Sequence, residues 1–168
     1  SIPKPTIARV QGAAFGGAVG LIACCDIAIG SKLSKFCLSE VKLGLIPATI
    51  SPYVIKAMGA RSAKRYFMTA EVFSSRRARR LGLIDESVTE EDLDQTISDL
   101  INSILSNGPV AVAAAKQLVF DVEDQDICEE LIEKTSLRIA TIRVSEEGQG
   151  GLNAFLQKRP PAWRSVDK

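Results

Sequence analysis

"TIARVQGAAFGGAVGLIACCDIAIG" (Thr6–Gly30) decides the fold of this 168-residue chain. A short apolar run predicts a strand over 6–10, and an uncharged run with small residues predicts a buried helix over 17–25. A second apolar run predicts a strand over 26–30. A strand, a helix and a strand in this order predict a crossover between parallel strands, and therefore an α/β fold.

Four glycines stand around the first junction of this stretch: Gly12, Gly16, Gly17 and Gly20. A glycine inside a helix costs about 1 kcal/mol relative to alanine, so the junction must need bare backbone. A glycine-rich turn that opens a helix exposes N–H groups that can hold a phosphate or an oxyanion, whereas close packing of the helix on a strand explains the glycines equally well. The spacing matches neither of the usual nucleotide-binding fingerprints.

The rest of the chain is predominantly helical. A strand is predicted over 35–38 and another within 83–88, and helices are predicted over 51–59, 61–70, 75–81, 89–105, 109–122, 124–144 and 147–159. Ser74 is predicted to cap one helix, and Thr89 with Asp92 to form a capping box on another. Three or four short strands are fewer than a sheet usually has, so we expect the chain to be the second part of a larger fold.

Composition excludes several classes of function. Lys and Arg total 21 against 20 Asp and Glu, and this balance favours neither nucleic acid nor an anionic membrane as partner. The absence of histidine excludes Ser-His-Asp and Cys-His nucleophiles and histidine metal sites, and no metal site is predicted. The four cysteines form no C-x-x-C pair, which predicts reduced, buried thiols in a cytoplasmic protein. A carboxylate is then the first candidate for proton chemistry.

Glu40 is the candidate carboxylate. It stands in the apolar frame "FCLSEVKLGLIP" (36–47) at the end of a predicted strand, where it either acts as acid or base or points into water. Asp26 is predicted to anchor the backbone. The four arginines within 76–80 are predicted to form a solvated helix face, and "AFLQKRPPAW" (154–163) to end a helix with Lys158 and an anchoring Trp163.

Four blocks carry a resemblance over essentially the whole chain: 5–30, 36–47, "ARRLGLIDE" (78–86) and 154–163. Together they resemble the enoyl-CoA hydratase/isomerase (crotonase) family, with most similarity to its methylglutaconyl-CoA and carboxygeranoyl-CoA hydratases. The resemblance implies a partial ββα-spiral core over 1–88, followed by a helical trimerisation region over 89–168. It also implies an acyl-CoA substrate, no cofactor apart from the coenzyme A of that substrate, and a homotrimer or hexamer.

The same resemblance implies roles for individual residues. The Gly17 N–H would stabilise the enolate oxygen of a thioester, and Glu40 would be the catalytic glutamate. A second N–H comes in family members from a turn upstream of Ser1, so we expect this chain to hold half of the oxyanion hole. Substrate binding is assigned to Gly16, Gly20, Pro47 and Lys158, with Lys158 near the nucleotide end of CoA. Many hydratases carry a second glutamate at the position of Gly20.

These roles predict a lyase that hydrates a branched enoyl-CoA such as 3-methylglutaconyl-CoA. An alternative within the family is a Δ3,Δ2-enoyl-CoA isomerase, which needs one base only and is favoured by Gly20. An alternative of another class is an incomplete chain that oligomerises or binds CoA without turnover. RNA binding has little support because the net charge is close to zero.

Overall fold

The structure is a computed structural model that describes residues 2–164. These residues form two compact units, one over Thr6–Asp99 and one from 2–5 together with 100–164. The division falls inside a helix, whereas the sequence placed the start of the helical region at 89. That predicted boundary stays a prediction.

The first unit contains short strands and helices in alternation. In chain order these are β1 (Ile7–Val10), β2 (Ala13–Phe15), α1 (Gly17–Cys24), β3 (Ile27–Ser31), β4 (Lys35–Cys37), a 3-10 helix (Glu40–Leu43), α2 (Ser51–Met58), α3 (Ala60–Thr69), β5 (Phe73–Ser74), α4 (Ser75–Arg80) and β6 (Glu86–Val88). Helix α5 (Glu90–Leu105) follows, and α6 (Pro109–Val122), α7 (Glu129–Val144) and α8 (Glu146–Leu156) belong to the second unit.

The strands form two three-stranded sheets. In the order β1-β3-β6 both pairings are parallel, with Ile7 opposite Ile27 and Ile29 opposite Glu86. In the order β2-β4-β5 the first pairing is parallel and the second antiparallel. The predicted α/β class and the parallel pairing around α1 are confirmed.

Several boundaries predicted from the sequence are wrong. The described residues contain six strands rather than three or four, because β2 and β5 were missed. Glu40 opens a 3-10 helix instead of ending a strand, and α7 begins at Glu129 because Asp124 has φ +62 in a turn. Only Cys37 of the four free thiols is buried, whereas Cys24 and Cys128 are exposed.

One apolar core holds the first unit together. Val19 of α1, Phe36 of β4 and Val54 of α2 are fully buried in it. The Phe36 and Phe73 rings stack with centroids 5.6 Å apart. Asp26 anchors the start of β1 as predicted, since its Oδ2 accepts hydrogen bonds from the Thr6 N–H at 2.7 Å and the Thr6 hydroxyl at 2.8 Å.

The predicted helix caps are also present. The Ser74 hydroxyl accepts from the Arg77 N–H at 3.3 Å, and the Thr89 hydroxyl accepts from the Asp92 N–H at 3.2 Å. The four arginines of α4 are exposed, as expected of a solvated face, whereas Ala78 between them is fully buried.

Polar contacts connect helix ends within the second unit. The Glu147 carboxylate accepts from the N–H groups of Val110 and Ala111 at 3.0 and 2.8 Å and so caps α6. Trp163 donates from Nε1 to the Ser106 carbonyl at 3.3 Å and confirms the anchoring role predicted for it. Within residues 2–164, none of the helices combines the length and apolar character that crossing a bilayer requires.

Candidate active site

The glycines at the first junction do three different things. Gly12 and Gly16 have φ of +79 and +54, which side-chain-bearing residues rarely adopt. Gly20 is buried, and a Cβ there would lie 2.6 Å from Ile50 Cβ, so this position requires glycine for packing. Gly17 meets nothing within 4 Å of an added Cβ and is exposed. Close packing therefore explains Gly20 but not Gly17.

The Gly17 N–H is free to act as a donor. Gly17 is the first residue of α1, and the first N–H groups of a helix have no acceptor within the helix. Among residues 2–164 no group accepts a hydrogen bond from this N–H, whereas the preceding Gly16 N–H donates to the Cys37 carbonyl at 2.8 Å. The partial positive charge of the α1 N-terminus adds to its attraction for an oxyanion. An unbonded N–H on an exposed residue, with open space where a side chain would begin, can therefore receive a substrate oxygen.

The Glu40 carboxylate lies beside this helix start. A Cβ built on Gly16 would lie 3.5 Å from Glu40 Oε1. Glu40 Oε2 is buried and accepts no hydrogen bond from the part of the chain that the structure describes. Buried carboxylate oxygens are normally hydrogen-bonded, so this atom is available to a substrate or a water.

Hydrogen bonds before and after Glu40 hold its backbone in place. Before it, Cys37 is fully buried and its thiol donates to the Ala70 carbonyl at 3.2 Å. After it, Gly44 in the left-handed region closes the 3-10 helix, and the Leu45 N–H donates to the Glu40 carbonyl at 3.1 Å. The carboxylate is therefore presented from a fixed backbone beside Gly16.

An apolar stretch continues from Glu40. Leu43, Leu45 and Ile46 are 76%, 60% and 74% exposed, and Pro47 after them is buried. Exposed apolar side chains that follow Glu40 in the chain suit an apolar group that approaches this site.

Lys158 lies in the second unit and has its own cavity of about 490 Å³. Its backbone is in the left-handed region with φ +53, just after the end of α8. The cavity combines three basic side chains with an exposed aromatic ring and two prolines, its lining being Gly151, Phe155, Lys158, Arg159, Pro160, Pro161 and Arg164. Basic side chains suit the phosphates of a nucleotide, and an aromatic ring in the same cavity suits its base.

The structure therefore brings Gly16, Gly17 and Glu40 together, and it uses Gly20 as a packing residue. Sequence reasoning missed Ser39, whose Oγ lies 3.8 Å from a Cβ built on Gly16. No group of three His, Cys, Asp or Glu side chains within the described residues could hold a metal ion. What the arrangement offers is an N–H donor for a developing negative charge and a carboxylate for proton transfer.

Comparisons with known proteins agree on one family. The family model "Enoyl-CoA hydratase/isomerase" matches residues 1–166. An enoyl-CoA hydratase structure from Shewanella pealeana is 56% identical, with a TM-score of 0.90, over 96% of this chain and 60% of its own. A structure from Legionella pneumophila, described as an enoyl-CoA hydratase/isomerase (crotonase), is 54% identical, with a TM-score of 0.92, over 96% of this chain and 62% of its own.

A further relative is the mitochondrial methylglutaconyl-CoA hydratase of Mus musculus, which is 31% identical over 98% of this chain and 54% of its own length. The chain thus spans between 54% and 62% of the lengths of these three relatives. The structural matches confirm the crotonase-like fold expected from the sequence.

Proposed function

Because this chain belongs to the enoyl-CoA hydratase/isomerase family, we propose that it carries part of the active site of an acyl-CoA lyase. The proposed substrate is a branched, carboxylated enoyl-CoA such as 3-methylglutaconyl-CoA. One observation supports the reaction type most strongly: the residue with the unbonded N–H, Gly17, directly follows Gly16, and the carboxylate with the unsatisfied Oε2, that of Glu40, lies beside Gly16. The likeness to the mouse methylglutaconyl-CoA hydratase supports the acyl group.

The Gly17 N–H would donate to the thioester oxygen. As the enolate forms, negative charge grows on this oxygen, and the hydrogen bond strengthens most in the transition state. One such donor is worth about 3 kcal/mol, and we expect the second donor to come from outside the 168 residues. Glycine at position 17 keeps the approach to the amide open, because nothing lies within 4 Å of the place where a side chain would begin.

Glu40 would carry the proton. Its carboxylate takes one proton from a water while the water oxygen forms a bond to the substrate β-carbon. The electrons of the double bond move toward the thioester oxygen, and Glu40 then returns a proton to the α-carbon. The net change is the addition of one water, and the glutamate ends as a carboxylate again.

The test is a Glu40→Gln variant of the full native protein assayed with 3-methylglutaconyl-CoA. Glutamine keeps the shape of the side chain and cannot accept the proton, so we expect kcat to fall about 100-fold to 10,000-fold with little change in KM. Glu91→Gln, an exposed glutamate of α5, is the matched control and should hydrate like the unmutated protein. Wild-type turnover by the Glu40 variant would refute the assignment.

A Δ3,Δ2-enoyl-CoA isomerase is the second candidate, and the packing of Gly20 favours it. Ile50 fills the space in which a side chain at position 20 would lie, so a second carboxylate has no room there. One base is enough to move a proton between two carbons of the same substrate. Double-bond migration in a 3-enoyl-CoA without uptake of solvent oxygen would support the isomerase over the hydratase.

A third candidate is a chain that binds CoA and oligomerises without turnover. The cavity around Lys158 supports CoA binding, and the exposed apolar side chains of α6 to α8 support assembly into a homotrimer or hexamer. Calorimetry with CoA and light scattering on residues 1–168 would show binding and assembly. Turnover by the same sample would exclude this candidate.

A further inference from the structure

We propose that the Ser39 hydroxyl is the second acceptor that orients the attacking water beside Glu40. This role rests on the proposed hydration and extends it to a residue that the sequence did not single out. It makes Ser39 and Glu40, which are adjacent in the chain, a pair that holds one water.

Ser39 occupies a capping position and does not cap. It precedes the first residue of the 3-10 helix, where serine usually accepts a hydrogen bond from an N–H of the first turn, but its side chain accepts none. Its Oγ lies instead beside Gly16, 3.8 Å from a Cβ built there, and Glu40 Oε1 lies 3.5 Å from the same point. Both oxygens therefore border the same stretch of backbone at the start of α1.

Two acceptors fix the orientation of an attacking water more fully than one. When each O–H bond of the water points to an acceptor, a lone pair of its oxygen is left for the β-carbon. Glu40 supplies one acceptor. A second one cannot come from position 20, because Ile50 already fills that space. The Ser39 hydroxyl is half-buried, lies beside the same point of Gly16 as Glu40 Oε1, and supplies the other.

The proton balance involves Glu40 alone. One O–H bond of the water breaks toward the Glu40 carboxylate as the new C–O bond forms. The other O–H bond, held by Ser39 Oγ, remains intact in the product hydroxyl. Ser39 keeps its own proton throughout and needs no activating base.

Two readouts on the full native protein separate this role from a structural one. Hydration of crotonyl-CoA and of 3-methylglutaconyl-CoA requires the oriented water. Exchange of the α-protons of butyryl-CoA in heavy water requires Gly17 and Glu40 without any water addition.

For Ser39→Ala we expect kcat of hydration to fall about tenfold to a hundredfold, since a hydrogen bond to the reacting water is lost. The α-proton exchange should fall far less, and Ser39→Thr, which keeps the hydroxyl, should restore most of the hydration.

Ser98→Ala is the matched control, since that hydroxyl bonds the Asp94 carbonyl within its own helix, and both of its rates should stay at the unmutated level. Equal losses of hydration and exchange in Ser39→Ala would overturn the proposal, because Ser39 would then only support Glu40. Unchanged hydration would overturn it as well. Failure of the proposed function looks different: the unmutated protein would hydrate neither enoyl-CoA, or Glu40→Gln would hydrate like it.

Discussion

The two compact units treat their apolar side chains in opposite ways. The unit over Thr6–Asp99 buries Val19, Ile29, Phe36 and Val54 completely. In the described part of the other unit, Ala154 is the one buried hydrophobic residue, and side chains as large as Phe155 are 80% exposed. The first unit therefore carries its own core, and its candidate site is built on that core.

The difference teaches where each unit obtains its stability. Burying one large apolar side chain contributes about 1.5–3 kcal/mol to the free energy of unfolding. The first unit buries several such side chains within its own residues. The helices of the second unit gain little of it alone, and their exposed residues would contribute only when another surface covers them. The glutamate of the candidate site is held in place by the first unit, through Cys37 and Gly44.

The sharpest test of this comparison is the same substitution in both units. Phe36→Ala removes a fully buried ring that stacks on Phe73, and we expect the free energy of unfolding to fall by about 3–5 kcal/mol. Phe155→Ala removes an exposed ring and should change it by less than about 0.5 kcal/mol. Urea unfolding of both variants measures the difference. Equal losses would contradict the contrast between the units.

A second test concerns two glycines of α1 that differ in their surroundings. Gly20→Ala places a Cβ 2.6 Å from Ile50 Cβ, and we expect a loss of about 1–3 kcal/mol from overpacking. Gly17→Ala enters open space and should leave stability within about 0.5 kcal/mol while it lowers activity. Adding Ile50→Ala to Gly20→Ala should recover part of the lost stability. Thermal unfolding with an activity assay on each variant measures both effects.

The smallest effect is expected from surface charges, which should not distinguish the units. In the first unit Arg9 Nε lies 2.6 Å from Asp94 Oδ1, and this hydrogen bond holds the pKa of Asp94 below its usual range. In the second unit Lys134, 2.6 Å from Glu130, lowers the pKa of Glu130 in the same way. Both pairs are exposed, so each contributes little to stability.

The lowered pKa values set the direction of the pH dependence. A carboxyl whose folded pKa is depressed adds stability above its unfolded pKa of about 4, and that stability is lost as the pH falls through the folded value. Arg9→Ala and Lys134→Ala should therefore each lower the unfolding midpoint slightly at pH 7. Both differences should disappear as the pH falls below 4. If Arg9→Ala lowered the unfolding midpoint more than Lys134→Ala did, and still lowered it below pH 4, Arg9 would act through packing.

The sequence predicted the long elements of the fold and missed the shortest. Helices α5 and α6 have clear start signals, Thr89 with Asp92 and Pro109, and both begin where expected. Strands β2 and β5 contain three and two residues, too few for any alternation of apolar and polar side chains to show. The acidic run before α7 suggested an earlier helix start, but the chain turns at Asp124 and the helix begins only at Glu129.

The site was predictable where a residue type is distinctive. Glu40 stands out as an acid in an apolar frame, and Gly17 stands out within a glycine cluster. Ser39 has no such signal, because a serine before a helix is expected to cap it. Only the fold shows that its hydroxyl lies beside Gly16. The packing of Gly20 on Ile50 joins residues thirty positions apart and could not be deduced from local pattern.

The place of β6 at the edge of the parallel sheet has a consequence for biosynthesis. Ile29 of β3 pairs with Glu86 of β6. One edge of β3 therefore has no partner strand until β6 has been synthesised and has left the ribosome. At about 5–20 residues per second, the nascent chain spends several seconds with that strand edge open. An unpaired strand edge can pair with a strand of another chain and cause aggregation. A chaperone would therefore protect the nascent chain most effectively during this interval.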